Sequence, residues 1–238
     1  MKIIISPSKT QDFHRKLFNK TETPLFINNA DKIVKEIQKL SKKELAAMMK
    51  IKGKILDKTY SDYDNYFNNC SNHAISSYNG AVFKEINMEV LDKNDMVYAE
   101  KHLRILSALY GVLKPLDEIR PYRLDMNMKI TNMDLYKFWQ KNMDDYFSGE
   151  DLIINLASRE FSKLINLPMV TIEFKEEIDG KYKIVGTYAK KARGMMVNFL
   201  IKNKIEDYEK IKEFTMDKYK YNKELSLDKK IVFSRKRV

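Results

Sequence analysis

The 238-residue chain has a single cysteine, Cys70, so no internal disulfide forms, which suits a reducing cytoplasm. Its three histidines, His14, His73 and His102, are scattered, with no two at metal-ligand spacing on one helix. No haem, iron-sulfur or peroxidase signature occurs, and no cofactor is expected. The seven glycines and five prolines mark out no linker, and no glycine-rich Walker pattern surrounds any lysine. The apolar run in MKIIISPSKT is far too short for a signal peptide or a membrane span, and no later segment comes closer. A membrane partner is therefore not expected. Disorder is excluded as well, because 44% hydrophobic and 11% aromatic residues supply a substantial core.

Positive charge is what the chain has in excess. Lys and Arg number 44 against 33 Asp and Glu, a net charge of +11. Such a surplus favours polyanionic partners, by attraction to phosphate and release of condensed counterions. A lysine-rich proteome that solvates its surfaces with lysine would produce the same number.

Along the chain, helical and extended patterns intermix. Lys2 to Ser6 reads as a short buried strand stopped by Pro7, followed by a polar loop to about Asn29. Ile33, Ile37 and Leu40 recur at helical spacing. Ser41 and Glu44 form a capping box that opens a second helix through Leu45 and Met48, which Gly53 is expected to break. A third helix carries Leu56, Tyr60, Tyr63 and Phe67. Asn79-Gly80 signals a turn, Asn94 or Asp95 a helix cap, and residues 103–109 are either a strand or a continuation of that helix. Asp134 to Phe147 is helical, with Leu135, Phe138, Trp139, Met143 and Tyr146 on its apolar face. Residues 151–157 read as a strand, and 170–188 as a hairpin turning at Asp179-Gly180. A helix starts at AKKARG, and KIVFSRK forms a last strand. No repeat and no linker divides the chain. The expected fold is mixed α/β (α+β): one compact domain over residues 1–238, with a mixed sheet and surrounding helices.

Three clusters carry chemistry. Residues 41–67 resemble a helix-hairpin-helix, with Leu45, Met48, Ile51 and Lys54 at matching positions. Lys50 and Lys52 stand where that pattern has glycine, whose small size lets backbone N–H groups approach a phosphate. Lys50, Lys52, Lys54 and Lys58 supply charge instead; the alternative is an ordinary helical hairpin with a solvated basic turn. In ISPSKT, Ser6 and Lys9 have the S-x-x-K spacing of a lysine-activated serine, but Pro7 and the preceding strand argue against the helix that this needs. Lys9 and Thr10, in a loop leaving a strand, suit phosphate better. The third cluster pairs LYGVLKPLDEIRPYRLDM with YAKKARG. In the first, Pro115 and Pro121 stiffen a stretch dense in Arg120, Tyr122 and Arg123, whose arginines would otherwise pair with Asp117, Glu118 or Asp125. In the second, Lys190, Lys191 and Arg193 are expected where a strand hands over to a helix, a place that favours anions over cations.

ISPSKT, SSYNGAVF, LRILSALYGVLKPLDEIRPYRLDM, INLASREF and YAKKARGMM, in this order, resemble the YaaA family of bacterial peroxide-stress resistance proteins. The resemblance runs from the first strand to the final KIVFSRK. It implies a single-domain α/β fold with a basic cleft and a helix-hairpin-helix element. It also implies DNA binding, and protection during peroxide stress with lower free iron as one route. By motif match, Lys9, Tyr78, Gly80, Arg120, Tyr122, Arg123, Lys190 and Arg193 would line or adjoin the cleft. Family members usually have Tyr where this chain has Phe161.

The leading expectation is a DNA-binding protein, not an enzyme, that grips the phosphate backbone without reading bases, with Tyr122 available to stack on a base or sugar. The competing one is an enzyme acting on a phosphorylated small molecule or a nucleic-acid end. There Lys9, Arg120, Arg123 and Lys190 would stabilise charge, with Asp125 or Glu160 as base. Direct iron binding is the weakest reading, since His and Cys are few and dispersed. Oligomeric state is not encoded in any pattern.

Overall fold

A computed structural model describes residues 1–14 and 21–236. In chain order the strands are β1 (Lys2–Ile5), β2 (Asn72–His73), β3 (Leu103–Ser107), β4 (Gly111–Leu113), β5 (Glu118–Ile119), β6 (Lys129–Ile130), β7 (Met133–Asp134), β8 (Ile153–Asn155), β9 (Val170–Ile178), β10 (Lys181–Lys183), β11 (Lys220–Tyr221) and β12 (Lys230–Lys236). The helices are α1 (Ile27–Gln38), α2 (Lys42–Met49), α3 (Gly53–Asp64), α4 (Ala74–Ser77), α5 (Ala81–Ile86), α6 (Lys93–His102), α7 (Leu135–Phe147), α8 (Arg159–Ser162) and α9 (Gly186–Lys202).

One mixed sheet organises the molecule, in the order β11-β12-β9-β8-β1-β3-β4, with β10 paired to β9. β12, β9, β8, β1 and β3 are parallel, while β4, β10 and β11 pair antiparallel to their neighbours. Ile3, Ile4 and Ile5 of β1 are all fully buried, so both faces of the central strand are covered, as a parallel sheet requires. β2–β5 and β6–β7 form two separate two-stranded pairs. The expected fold class, a single compact α/β domain with a mixed sheet, is the one observed.

The local expectations hold in part. Ser41 and Glu44 form the capping box in full, Ser41 Oγ accepting the Glu44 amide and Glu44 reaching back to the Ser41 amide. α2 does not wait for Gly53 to end, however. Lys50 already takes the left-handed conformation (φ 53°), and Gly53, also left-handed, opens α3 instead. Phe67 falls beyond α3 and is exposed, so the buried face of that helix is Thr59 and Tyr63. α6 is capped by Asp92 in a reciprocal box with Asp95, rather than by Asn94 or Asp95. Residues 103–107 are strand. α1 starts at Ile27, inside the stretch expected to be loop. α9 begins at Gly186, earlier than expected, because β10 is only three residues long.

Candidate functional site

The parallel strands place several of the sequence motifs at one edge. From β1 the chain crosses to β3 on one side, and from β8 it crosses to β9 on the other. The crevice between the carboxyl ends of β1 and β8 is thus a topological switch point, where open α/β sheets bind ligands. Two exit segments meet there. Ser6 Oγ accepts the Ser158 amide at 2.8 Å and donates to Ser158 Oγ at 3.2 Å. Asn155 Oδ1 accepts the Ala157 amide at 2.9 Å, and its Nδ2 donates to Thr171 Oγ1 at 3.1 Å, which ties the end of β8 to β9.

Beyond Ser6 the chain runs against the turn at 78–80. The Asn79 amide donates to the Thr10 carbonyl at 2.9 Å and the Asp12 amide to the Ser77 carbonyl at 2.8 Å. Gly80 packs closely here: a Cβ would stand 2.5 Å from Ser8 Oγ, so a larger residue would have to displace the Ser8 side chain. On the far side of this turn a cavity of about 240 Å³ opens between α4 and α5, lined among others by Ser76, Asn79, Phe83 and Lys84. None of the arginines of the sheet edge lines it.

The segment 109–126 is anchored almost residue by residue. The amides of Lys114 and Leu116 donate to Asp117 Oδ2 (2.8 Å) and Glu100 Oε1 (2.7 Å). The Pro115 carbonyl accepts from Ile75, and that of Asp117 from Ala74. The Arg120 amide donates to Tyr110 Oη at 3.0 Å, the Tyr122 amide to Gln11 Oε1 at 3.1 Å and the Met126 amide to Glu160 Oε1 at 3.0 Å. Tyr63 Oη donates to the Arg123 carbonyl at 2.9 Å. With Pro115 and Pro121 both buried, this backbone is held before any ligand arrives. Burial raises the Asp117 carboxyl pKa to about 7, with Lys114 acting the other way and nearby Glu100 adding to the rise.

The arginines of this segment do not pair with their acidic neighbours. Asp125 is taken by Lys9, Nζ to Oδ2 2.6 Å, and Glu118 by Ser71 Oγ. The Arg120 guanidinium lies 6.0 Å from the Tyr66 ring centre. Arg120 Nε and Arg123 Nε are both buried without a hydrogen-bond partner, and no described carboxylate forms an ion pair with either side chain. The tyrosines are buried wall rather than surface. Tyr78 is 2% and Tyr122 5% exposed, and Tyr122 Oη meets Tyr78 Oη at 2.6 Å and Ser107 Oγ at 2.8 Å. Burial drives both phenol pKa values up, so both stay protonated. Stacking of Tyr122 on a base is not available in this arrangement, since its ring packs edge-on against Tyr110 and Tyr78.

α9 reaches the same edge. It runs alongside α5 in the same direction, with Asn198 Nδ2 donating to the Ile86 carbonyl at 2.6 Å and Gly194 against the Val82 carbonyl. One turn before Gly194 come Lys190 and Lys191, both exposed, on the stretch of helix nearest the start of α5. The cations sit in the second turn and beyond, not at the strand-to-helix junction. The dipole mismatch expected there therefore weakens, because the effect fades within the first turn. Arg193 is half-buried; burial pulls its pKa down, and Glu173 acts the other way.

The α2–α3 hairpin meets segment 109–126 through Tyr63 of α3, whose Oη binds the Arg123 carbonyl. Lys50, Lys52 and Lys54 are all exposed around the α2–α3 turn. The ion pairs nearby belong to its flanks, Lys42–Asp57 at 2.7 Å and Lys58–Asp62 at 2.8 Å, and no described carboxylate pairs with the three turn lysines. Sequence reasoning missed Ser107 and Ser158. Each is a small polar residue at or just past the end of an apolar run, a signal present but too common to single out. Phe161, where a tyrosine was expected from the resemblance, is buried.

A family model described as peroxide stress protein YaaA matches residues 1–225. The chain belongs to the YaaA family. A UPF0246 protein of Fusobacterium nucleatum is 42% identical over 99% of this chain and 99% of its own. A UPF0246 protein of Finegoldia magna is also 42% identical, over 98% and 97%, and one of Crocosphaera subtropica 36%, over 98% and 99%. Membership of the YaaA family ties the chain to the peroxide stress response. Among the described residues no helix is long and apolar enough to cross a membrane, and no three His, Cys, Asp or Glu gather as a metal site.

Proposed function

We propose that this YaaA-family protein binds DNA through the phosphate backbone, without base readout, and shields it during peroxide stress. The observation that carries the reading is the α2–α3 turn, where Lys50, Lys52 and Lys54 project without carboxylate partners. In a helix-hairpin-helix, two glycines give phosphate access to the backbone; here three mobile charges do that work over one turn. A second basic strip would run along the sheet edge through Lys9, Lys190, Lys191 and Arg193, with Arg120 and Arg123 recessed beside it. Tyr78, Gly80 and Tyr122 act on it indirectly, by setting the shape of its floor. Limited damage from free iron would then follow from covering the DNA.

The test is fluorescence anisotropy with labelled single-stranded, duplex and four-way-junction DNA. Affinity that rises with DNA length and falls steeply with salt supports the reading; no binding to any of them at low salt removes it.

One observation favours a second reading. Lys9, Ser6, Ser158 and Glu160 stand at a switch point, the usual seat of a small ligand in such sheets. In that case the protein is an enzyme for a phosphorylated small molecule or a nucleic-acid end, with Lys9, Arg120, Arg123 and Lys190 stabilising charge and Asp125 or Glu160 as base. Turnover of a phosphorylated substrate that is lost on Glu160→Gln and kept on Lys52→Ala would establish it.

A further inference from the structure

We infer that Arg120 and Arg123 form a seat for a terminal phosphate, a phosphomonoester carried by a DNA end or by a free nucleotide. This names the ligand of the sheet edge and rests on the reading of that edge as anion-binding.

The starting point is charge left uncompensated below the surface. Arg120 Nε and Arg123 Nε are buried and lack hydrogen-bond partners. Burying a donor of a charged group unpaired is costly, and native proteins complete such a donor with a ligand, an ion or an ordered water. Here two stand three residues apart. Every acidic residue that the local sequence offers is engaged elsewhere: Asp117 with the Lys114 amide, Glu118 with Ser71 and Asp125 with Lys9. The surrounding groups hold the backbone and not the guanidinium groups. Tyr110 Oη takes the amide of Arg120, Tyr63 Oη binds the carbonyl of Arg123, and the Tyr66 ring faces the Arg120 guanidinium. The backbone is thus fixed while neither Nε has a partner.

Arginine binds phosphate best through two N–H groups at once, and Nε with its neighbouring Nη is one such fork. A phosphodiester inside a strand continues in two directions from phosphorus, so it meets side chains from outside, as the turn lysines would meet it. A donor below the surface is met by a group that ends there. A terminal phosphate, with three non-bridging oxygens and up to two negative charges, fits that requirement.

The test compares oligonucleotides that differ only in a 5′- or 3′-phosphate against hydroxyl, by anisotropy at a salt concentration where hydroxyl-ended DNA binds weakly. Deoxyadenosine monophosphate against deoxyadenosine is measured by calorimetry. The expected result is at least about tenfold tighter binding with the phosphate, the effect of one or two charge-assisted hydrogen bonds. The gain should vanish in Arg120→Gln/Arg123→Gln and persist in Lys50→Gln/Lys52→Gln/Lys54→Gln. Arg120→Lys/Arg123→Lys keeps the charge without the fork. Folded by circular dichroism, it should keep its affinity for hydroxyl-ended DNA and lose the preference. Binding of the mononucleotide identifies a free nucleotide as a source; preference confined to oligonucleotides identifies the DNA end. Equal affinity for phosphate and hydroxyl ends, with no mononucleotide binding, overturns the seat even where DNA still binds through the hairpin. Mononucleotide binding without any DNA binding keeps the seat and overturns the DNA reading.

Discussion

The α2–α3 turn holds Lys50, Lys52 and Lys54 in water on a short connection, whereas segment 109–126 holds Arg120 and Arg123 half-buried on a backbone pinned by Tyr63, Tyr110, Gln11 and Glu160. Both carry positive charge that no described carboxylate neutralises. The difference lies in how the charge is presented. Exposed lysines adapt to any phosphate spacing and are screened by salt, while forked, fixed arginines select a geometry. One chain thus carries a compliant anion surface and a selective one, and the two can be disturbed separately.

The largest expected effect is structural and falls on the edge. Gly194 packs against the Val82 carbonyl and the Glu85 side chain, and a Cβ has no room there. Gly194→Val should push α9 from α5 and cost about 3 kcal/mol or more, as overpacking against backbone does. Urea denaturation measures it, and a loss under about 0.5 kcal/mol would mean the helices separate easily.

Next comes the compliant surface. Lys50→Ala/Lys52→Ala/Lys54→Ala should weaken DNA binding about thirtyfold at low salt, with the log–log salt slope shallower by roughly 2.7 if each lysine meets one phosphate. Thermal stability should hardly change, since the three side chains are exposed and unpaired.

The third effect again belongs to the edge. Burial raises the folded-state pKa of Asp117 to about 7, above its ordinary carboxylate value. A raised acid contributes stability that is fully present below the unfolded pKa and lost as pH rises through the folded one. Stability should therefore fall by about 2 kcal/mol between pH 5 and pH 8, and Asp117→Asn should flatten that fall. Chemical denaturation at several pH values checks this, and an unchanged pH profile in the variant would clear Asp117 of the role.

The smallest effect separates stability from binding at one residue. Lys50 is left-handed (φ 53°), a conformation that suits glycine. Lys50→Gly should raise stability by up to about 1 kcal/mol and lower DNA affinity a few-fold. A fall in melting temperature would show that the lysine stem, not only its charge, supports the turn.

What was legible in the sequence follows from how local each feature is. The Ser41/Glu44 box, β1, the Asp179-Gly180 hairpin and α7 depend on residues within one or two turns, and all are found. The Asp92 cap was missed because Asn94 and Asp95 compete as caps in the same four residues. The start of α9 was missed because Gly186 and Thr187, both exposed and poor helix formers, give no start signal ahead of AKKARG. The same limit applies to the site. Arginine, tyrosine and proline crowding marked out segment 109–126, but the burial of Tyr122 needed Tyr78 and Ser107, 44 and 15 residues away. That Asp125 goes to Lys9 and not to an arginine is likewise a long-range outcome, set where β1 ends.

The most direct measurement is the salt dependence of DNA affinity for the wild type beside the triple-lysine variant and Arg120→Gln/Arg123→Gln, on duplexes with hydroxyl ends. The expected result is a steep wild-type slope, made shallower by about 0.9 per lysine removed and changed little by the arginine substitutions. Equal slopes in the wild type and the lysine variant, or no binding by folded wild type at low salt, would contradict the hairpin as the phosphate-gripping surface.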